Sequence, residues 1–111
     1  LGIKIGCSIP INTFDVGLTI YHASSIIVNK NAKIGKNCKL HGMNCIGNSG
    51  ISDDCPVIGD NVDISIGSII IGDVNIASNT IIGANSVVNK SIFEENCIFA
   101  GSPAKFIKRI N

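Results

Sequence analysis

The chain has 111 residues, a length that suits one compact domain. Its 9 basic residues nearly balance its 8 acidic ones, so the charge points neither to nucleic acid nor to an anionic membrane surface. No apolar run reaches the roughly 18 residues of a membrane span, and no signal peptide is visible.

Residues 1–21 carry a regular pattern only weakly. Residues 1–6 look like an entering strand, and residues 17–21 alternate again, but Pro10 between them cannot occupy a regular interior strand position. Because the chain opens at Leu1 rather than Met, one interpretation is a fragment whose preceding N-terminal domain is missing. The domain at hand is taken as residues 1–111.

After residue 22 the sequence repeats every six residues. An aliphatic side chain fills the first position of each six: Val28, Ile34, Leu40, Ile46, Ile58, Ile64, Ile70, Ile76, Ile82 and Val88. The fifth position is small or β-branched, as at Ala32 and Cys38. A fixed period of six is typical of β-helix arrays, and positions one and five share a face of extended chain. We therefore predict an all-β solenoid with the first positions inside.

His22 falls in a first position when the repeat is carried back from Val28. That position should be aliphatic. His22 is therefore either a break in the coil or an imidazole placed there for function.

Residues 48–56 lack the repeat and are rich in turn formers. The frame nevertheless survives, because Ile46 and Ile58 are twelve residues apart. We predict a loop that leaves the solenoid and returns in register, and such loops often carry binding groups. The adjacent acids Asp53 and Asp54 are more often solvated than catalytic.

The repeat stops after Phe93, and residues 97–100 fit one more strand. Ser102 as N-cap and Pro103 at the first helical position then predict a short amphipathic helix over residues 102–110. We expect Phe106, Ile107 and Ile110 to cover the open end of the solenoid.

The five cysteines point to free thiols. Their number is odd and no Cys-x-x-Cys occurs, which favours neither a disulfide framework nor a zinc site. We predict reduced thiols, a cytoplasmic location and no metal.

The repeat and two sequence motifs make the chain resemble a known family. The six-residue repeat is similar to that of the hexapeptide-repeat acyltransferases, which fold as a left-handed parallel β-helix. Gly17-Leu-Thr-Ile-Tyr-His22 and Ala100-Gly-Ser-Pro-Ala-Lys105 resemble the serine acetyltransferase branch, which includes relatives that acetylate sugars of surface polysaccharides. The resemblance implies acetyl-CoA as donor, a homotrimer, and His22 as the general base that takes the proton of an acceptor hydroxyl.

Three departures from that branch bear on the acceptor. Cys7 stands near the position of the carboxylate that orients the base, Tyr21 replaces an acidic residue before it, and Cys55 replaces a second histidine before the loop's proline. These changes suit a neutral sugar hydroxyl better than L-serine.

Other groups have to supply the orientation and the acceptor contacts. Asn12, Asp15 or a main-chain carbonyl is expected to orient the imidazole of His22. His41, in an outward second position, either lines the acceptor site or simply faces solvent.

For the donor, the resemblance implies a groove between neighbouring subunits along the coils. Ile66, Gly67 and Ala84 would offer backbone groups to the pantetheine arm, since small side chains let a ligand approach. Asn89 and Lys90 match a pair near the cofactor. Lys105 and Lys108 match basic residues that face the nucleotide phosphates, although they could also be a solvated face.

We weigh four functions. The first is an acetyl-CoA-dependent O-acetyltransferase acting on a sugar or surface polysaccharide. The second is serine O-acetyltransferase, and the third is a non-catalytic solenoid used for trimerisation. A zinc hydratase of the γ-carbonic anhydrase type is excluded because it needs three histidine ligands and the chain has only His22 and His41.

Overall fold

The computed structural model describes residues 7–110, so the strand expected over residues 1–6 lies outside the described part. Within that range the chain forms fourteen short strands in chain order: β1 Cys7–Ser8, β2 Thr19–Ile20, β3 Ile26–Val28, β4 Lys33–Ile34, β5 Lys39–Leu40, β6 Cys45–Gly47, β7 Val57–Ile58, β8 Asp63–Ile64, β9 Ile69–Ile71, β10 Asn75–Ile76, β11 Ile81–Ile82, β12 Val87–Val88, β13 Cys97–Gly101 and β14 Ala104–Arg109. No helix that could cross a membrane occurs among these residues.

The strands wind into a three-sided parallel β-helix. Successive strands pass from one sheet to the next, in the orders β1-β3-β6-β9-β12, β10-β7-β4 and β14-β13-β11-β8-β5-β2. In the regular part a residue pairs with the one 18 further on, as Ile58 does with Ile76. Three sixes therefore make one coil, and each sheet is a stack of equivalent sixes.

The predicted interior is confirmed. Every first-position side chain from Ile58 to Val88 is at most 3% exposed, and Ala32 and Cys38 in fifth positions are equally buried. Because side chains alternate across a strand, the single residue between positions five and one points outward. Each buried isoleucine contributes roughly 1.5–3 kcal/mol of transfer free energy, so the row of first positions is the main support of the fold.

Asparagines form the corners between the three-stranded and six-stranded sheets. Asn37, Asn61 and Asn79 adopt positive φ of 57°, 56° and 60°, a conformation that asparagine tolerates better than most residues. The side-chain amide of Asn37 donates to Asn61 and that of Asn61 to Asn79, each over 3.1 Å. We call these three residues the asparagine ladder.

His22 does not occupy a first position, and the frame assigned to it was wrong. Ile20 pairs with Leu40 and Val28 with Ile46, so this corner takes eight residues from Ile20 to Val28 where the next takes six. The two additional residues move His22 out of the interior row and onto an exposed corner. The structure therefore shows a break in the regular coil at His22.

Residues 48–56 contain no strand and connect β6 to β7. Residues 49–54 are exposed, and Ile51 near the middle is 93% exposed. Cys55 and Pro56 then return to the interior, and Ile58 resumes its place between Ile34 and Ile76.

The helix predicted over residues 102–110 is wrong. Ser102 and Pro103 form a turn, and β14 pairs antiparallel with β13. The last parallel strand leaves a row of unpaired backbone groups, and a returning strand satisfies them, whereas so short a helix has little stability of its own. Phe106 meets Phe99 edge-to-face at 5.8 Å, but Phe106 and Ile107 remain about half exposed and do not cap the interior.

Candidate active site

His22 lies on the corner between β2 and β3, in contact with the next coil. The backbone N–H of Tyr21 donates to the carbonyl of Leu40 over 2.9 Å, and that of Ser24 to the carbonyl of His22 over 2.9 Å. Gly42, with φ of 124°, sits directly against His22. The corner that holds the histidine therefore requires a residue without Cβ on the coil beside it.

The same corner on later coils carries the three residues expected to bind the donor. The pairing of Ile20, Leu40, Ile64 and Ile82 places Gly42, Ile66 and Ala84 in line with His22. Backbone hydrogen bonds continue this register, from Gly67 N to Gly42 O and from Asn85 N to Ile66 O, both 2.9 Å. We call His22, Gly42, Ile66, Gly67 and Ala84 the corner row.

Most residues of the corner row after His22 are small, and the row is exposed in part. Ala84 is exposed and Ile66 is partly exposed. Gly67 has φ of 75°, and a Cβ there would collide with the side-chain oxygen of Asn85. The row thus begins at the exposed His22, passes the buried Gly42 and is exposed again at Ile66 and Ala84.

The polar residues expected to bind the donor lie in two separate regions of the chain. Lys105 pairs with Ala100 at the end of the corner row, and Lys108 pairs with Ile98 on the same sheet. Asn89 and Lys90 follow β12. They lie at the corner where the strands of the five-stranded sheet end, whereas the corner row lies where those strands begin. Among the described residues of one chain, Lys105 therefore lies next to the end of the corner row, and Lys108 lies further along β14.

His41 belongs to an arrangement that the sequence did not reveal. Its Nε2 lies 2.6 Å from Oδ1 of Asp63, and its ring stacks on Tyr21 with centroids 4.6 Å apart and planes 22° from parallel. Asp63 is 22 residues away in sequence, across the irregular loop. Only the register of β5 on β8 brings the two side chains together, so no local signal could have identified Asp63.

Asn12 and Asp15, expected to orient His22, lie elsewhere. They line an open groove beside Lys33, Gly35 and Val57 on the side of the three-stranded sheet. Asp15 accepts a hydrogen bond from the backbone N–H of Val16 over 2.7 Å. The structure therefore does not bring either residue to the corner row.

Cys55 is buried at the end of the loop, away from the corner row. Its thiol donates to the carbonyl of Asp53 at 3.6 Å. Burial, and then the charges of Asp53 and Asp54, raise the pKa of this thiol. A raised pKa disfavours the thiolate, which is the nucleophilic form of cysteine.

Burial also raises the pKa of the Cys45 thiol. All five are free, and burial raises the pKa of Cys38 to about 12. Among residues 7–110 no three potential metal ligands cluster.

Comparison with known proteins identifies homologues. No protein-family model matches the sequence. The chain is 36% identical over 89 residues to the putative colanic acid biosynthesis acetyltransferase WcaB of Escherichia coli, covering 78% of this chain and 54% of that protein. It is 35% identical over 94 residues to serine acetyltransferase of Staphylococcus epidermidis, covering 83% and 44%. The chain thus spans about half the length of these relatives.

Solved structures of serine acetyltransferases are also similar to this chain. Serine acetyltransferase of Brucella abortus in complex with coenzyme A matches 89% of this chain and 41% of its own, with a TM-score of 0.82 and 30% identity. Serine acetyltransferase of Neisseria gonorrhoeae matches 87% and 39%, with a TM-score of 0.80 and 33% identity. The expected left-handed parallel β-helix is thereby confirmed.

Proposed function

The chain is a homologue of the serine acetyltransferases and of WcaB within the hexapeptide-repeat acetyltransferases, and on this premise we propose that it transfers an acetyl group from acetyl-CoA to a hydroxyl of a sugar or surface polysaccharide. The observation that carries the proposal is the corner row. An exposed imidazole stands in line with Gly67 and Ala84, whose small side chains would let a ligand approach the main chain.

His22 acts as the general base in this proposal. It takes the proton of the acceptor hydroxyl while the oxygen attacks the thioester carbon, because an unassisted hydroxyl is a poor nucleophile near neutral pH. When the tetrahedral intermediate collapses, the C–S bond breaks and the imidazolium returns the proton to the sulfur. A positioned base typically contributes about 10²–10⁴-fold to such a step.

The donor would lie along the corner row. Backbone groups of Ile66, Gly67 and Ala84 would contact the pantetheine arm, and Lys105, followed by Lys108, would face the phosphates. The relative from Brucella abortus was solved with coenzyme A, which supports a coenzyme A site on this fold. In the proposed trimer, Asn89 and Lys90 would reach the donor from a neighbouring subunit.

The acceptor is proposed to be a saccharide because the corner offers little to an amino acid. Tyr21 stands beside His22 where a carboxylate would hold the ammonium of serine, and Cys55 is buried. Among the relatives, WcaB is named for colanic acid biosynthesis. Serine O-acetyltransferase remains the second candidate, because several relatives and solved structures are serine acetyltransferases.

A homotrimer would complete the site. The outward positions of the five-stranded sheet are mostly apolar: Ile27, Cys45, Ile69 and Val87. The corresponding positions of the three-stranded sheet, at Lys33, Val57 and Asn75, are more polar. A short chain gains stability by burying such a face against copies of itself.

The position of this sheet supports a shared groove. Its strands begin at the corner that carries His22. They end at the opposite corner, where the loop over residues 48–56 follows β6. Packing these faces around a threefold axis would bring the corner row of one copy towards the loop of the next. The five free thiols suit a cytoplasmic enzyme, where they would stay reduced.

An assay of free thiol tests the proposal. Purified protein is mixed with acetyl-CoA and either a panel of free sugars and oligosaccharides or L-serine, and coenzyme A release is followed above the rate without acceptor. We expect release with a saccharide and little with L-serine. Release with L-serine alone would favour the second candidate, and no release with any acceptor would favour the non-catalytic solenoid.

A further inference from the structure

The second histidine is paired with a carboxylate for which the proposed mechanism has no use. His41 and Asp63 approach to 2.6 Å, and their side chains are 34% and 31% exposed. A carboxylate accepts hydrogen bonds, so Nε2 of the neutral imidazole must be the donor. The other ring nitrogen, Nδ1, is then free of hydrogen and able to accept a proton. Within residues 7–110 it forms no hydrogen bond.

Tyr21 fixes the plane of the same imidazole. The two rings are nearly parallel, and the backbone of Tyr21 is itself hydrogen-bonded to the coil of His41 through Leu40. His41 is therefore held by a carboxylate at its edge and by an aromatic ring on its face. Orientation by a third group is what distinguishes the base of a catalytic dyad or triad from a solvated histidine.

His22 lacks such support: it is exposed, and within residues 7–110 it forms no ion pair with a carboxylate. The two histidines are nevertheless neighbours on the solenoid. The pair Tyr21-His22 lies over the pair His41-Gly42, one strand spacing of roughly 4.8 Å away, and Gly42 touches His22. The two histidines therefore belong to adjacent coils at the start of the corner row.

A simple surface ion pair is the alternative explanation of this arrangement. Such a pair contributes little to folding and has no effect on turnover. It would not require the ring of Tyr21 against the imidazole. The two explanations differ in their consequences for kcat, which makes them separable.

We propose that His41, oriented by Asp63, is a second proton acceptor of the active site. The inference rests on the proposed acetyl transfer. As the acceptor oxygen bonds to the thioester carbon, its proton can move to Nδ1 of His41 as well as to His22. After the C–S bond breaks, the proton passes to the sulfur of coenzyme A, and His41 is neutral again. Asp63 is a positioning residue that acts through His41.

The test compares variants with and without His22. In the His22→Ala protein, His41→Gln should lower the remaining kcat by about tenfold or more, since no oriented imidazole is left. In the otherwise unaltered protein the same change should cost less. The KM for acetyl-CoA should stay within about twofold, because a base acts mainly in the transition state.

Substitution of Asp63 gives the more discriminating test. In the His22→Ala protein, Asp63→Asn should lower kcat about as much as His41→Gln, and combining both should be no worse than either alone, because Asp63 acts only through His41. Asp73→Asn, at an exposed aspartate of another corner, is the matched control and should leave kcat unchanged. Losses from His41→Gln and Asp63→Asn that multiply would overturn the assignment. So would an unchanged kcat after His41→Gln in both backgrounds.

A measurement that needs no turnover separates this inference from the proposed function. The ¹⁵N NMR spectrum of the neutral imidazole should show His41 protonated at Nε2, and Asp63→Asn should abolish this preference. A mixture of tautomers in the unaltered protein would overturn the dyad itself. Failure to release thiol with any acceptor would instead refute acetyl transfer.

Discussion

Gly42 packs directly against His22. A Cβ on Gly42 would lie 2.9 Å from the carbonyl oxygen of His22 and 3.1 Å from its Cβ. Both distances are shorter than ordinary contacts, and the oxygen belongs to the backbone, which cannot swing away. The position of the proposed base thus depends on a glycine, which has no side chain, on the neighbouring coil.

Gly42→Ala should destabilise this corner and displace His22. The new methyl group would meet His22 in a backbone conformation with φ of 124°, and strain of this kind costs about 1–3 kcal/mol. We expect a lower melting temperature together with reduced turnover. Gly50→Ala is the control, because φ there is also positive, at 86°, but the space is open. Equal effects of the two changes would show that backbone strain alone, and not contact with His22, is responsible.

The six-residue repeat predicted the interior because burial of the first positions is a local alternation repeated on every coil. The same repeat misplaced His22, because two additional residues at one corner change the frame without changing the residue types around it. Only pairing of Ile20 with Leu40 shows the shift. A repeat therefore fixes a regular coil well and an irregular corner poorly.

The remaining differences have a non-local origin. The sequence does contain helix signals, namely Ser102-Pro103 and the spacing of Phe106, Ile107 and Ile110. Pairing with the open edge of β13 nevertheless stabilises a strand there. Likewise, the pairing of His41 with Asp63 depends on how β5 and β8 align across the loop. Neither an open sheet edge nor a register between distant strands can be read from a local window.

Ile70 should be essential to folding. Its side chain is fully buried, so Ile70→Asp would place an unpaired charge in the interior at a cost of several kcal/mol. We expect no cooperative thermal transition by circular dichroism. Ile51→Asp, at a side chain that is 93% exposed, should leave the transition unchanged. A folded Ile70→Asp protein would contradict the assigned interior.

The asparagine ladder should stabilise its corner in two ways. Asn61→Ala removes hydrogen bonds on both sides of the residue and places a less tolerant residue at positive φ, so we expect a loss of about 1–3 kcal/mol in the free energy of unfolding. Asn61→Gly removes the amide but keeps the conformation and should cost less. Urea titration measures both. If alanine and glycine cost the same, the backbone conformation contributes nothing.

The apolar face of the five-stranded sheet should carry the trimer contact. Ile69→Asp places a charge in the middle of that face and should reduce the mass measured by light scattering at micromolar concentration to that of a monomer. Val57→Asp, on the three-stranded sheet, should leave the mass unchanged. A monomeric mass for the unaltered protein would refute the trimer and any groove shared between subunits.

The kinetics of His22 variants test the central claim most directly, with kcat, acetyl-CoA affinity and melting temperature measured on the same preparations. His22→Ala should lower kcat by about 10²–10⁴-fold while the affinity for acetyl-CoA stays nearly intact, since a general base acts in the transition state. The melting temperature should change little, because His22 is exposed. His22→Leu should be equally inactive. A His22→Leu protein that is stable and turns over at the unaltered rate would contradict the role of His22 as the base.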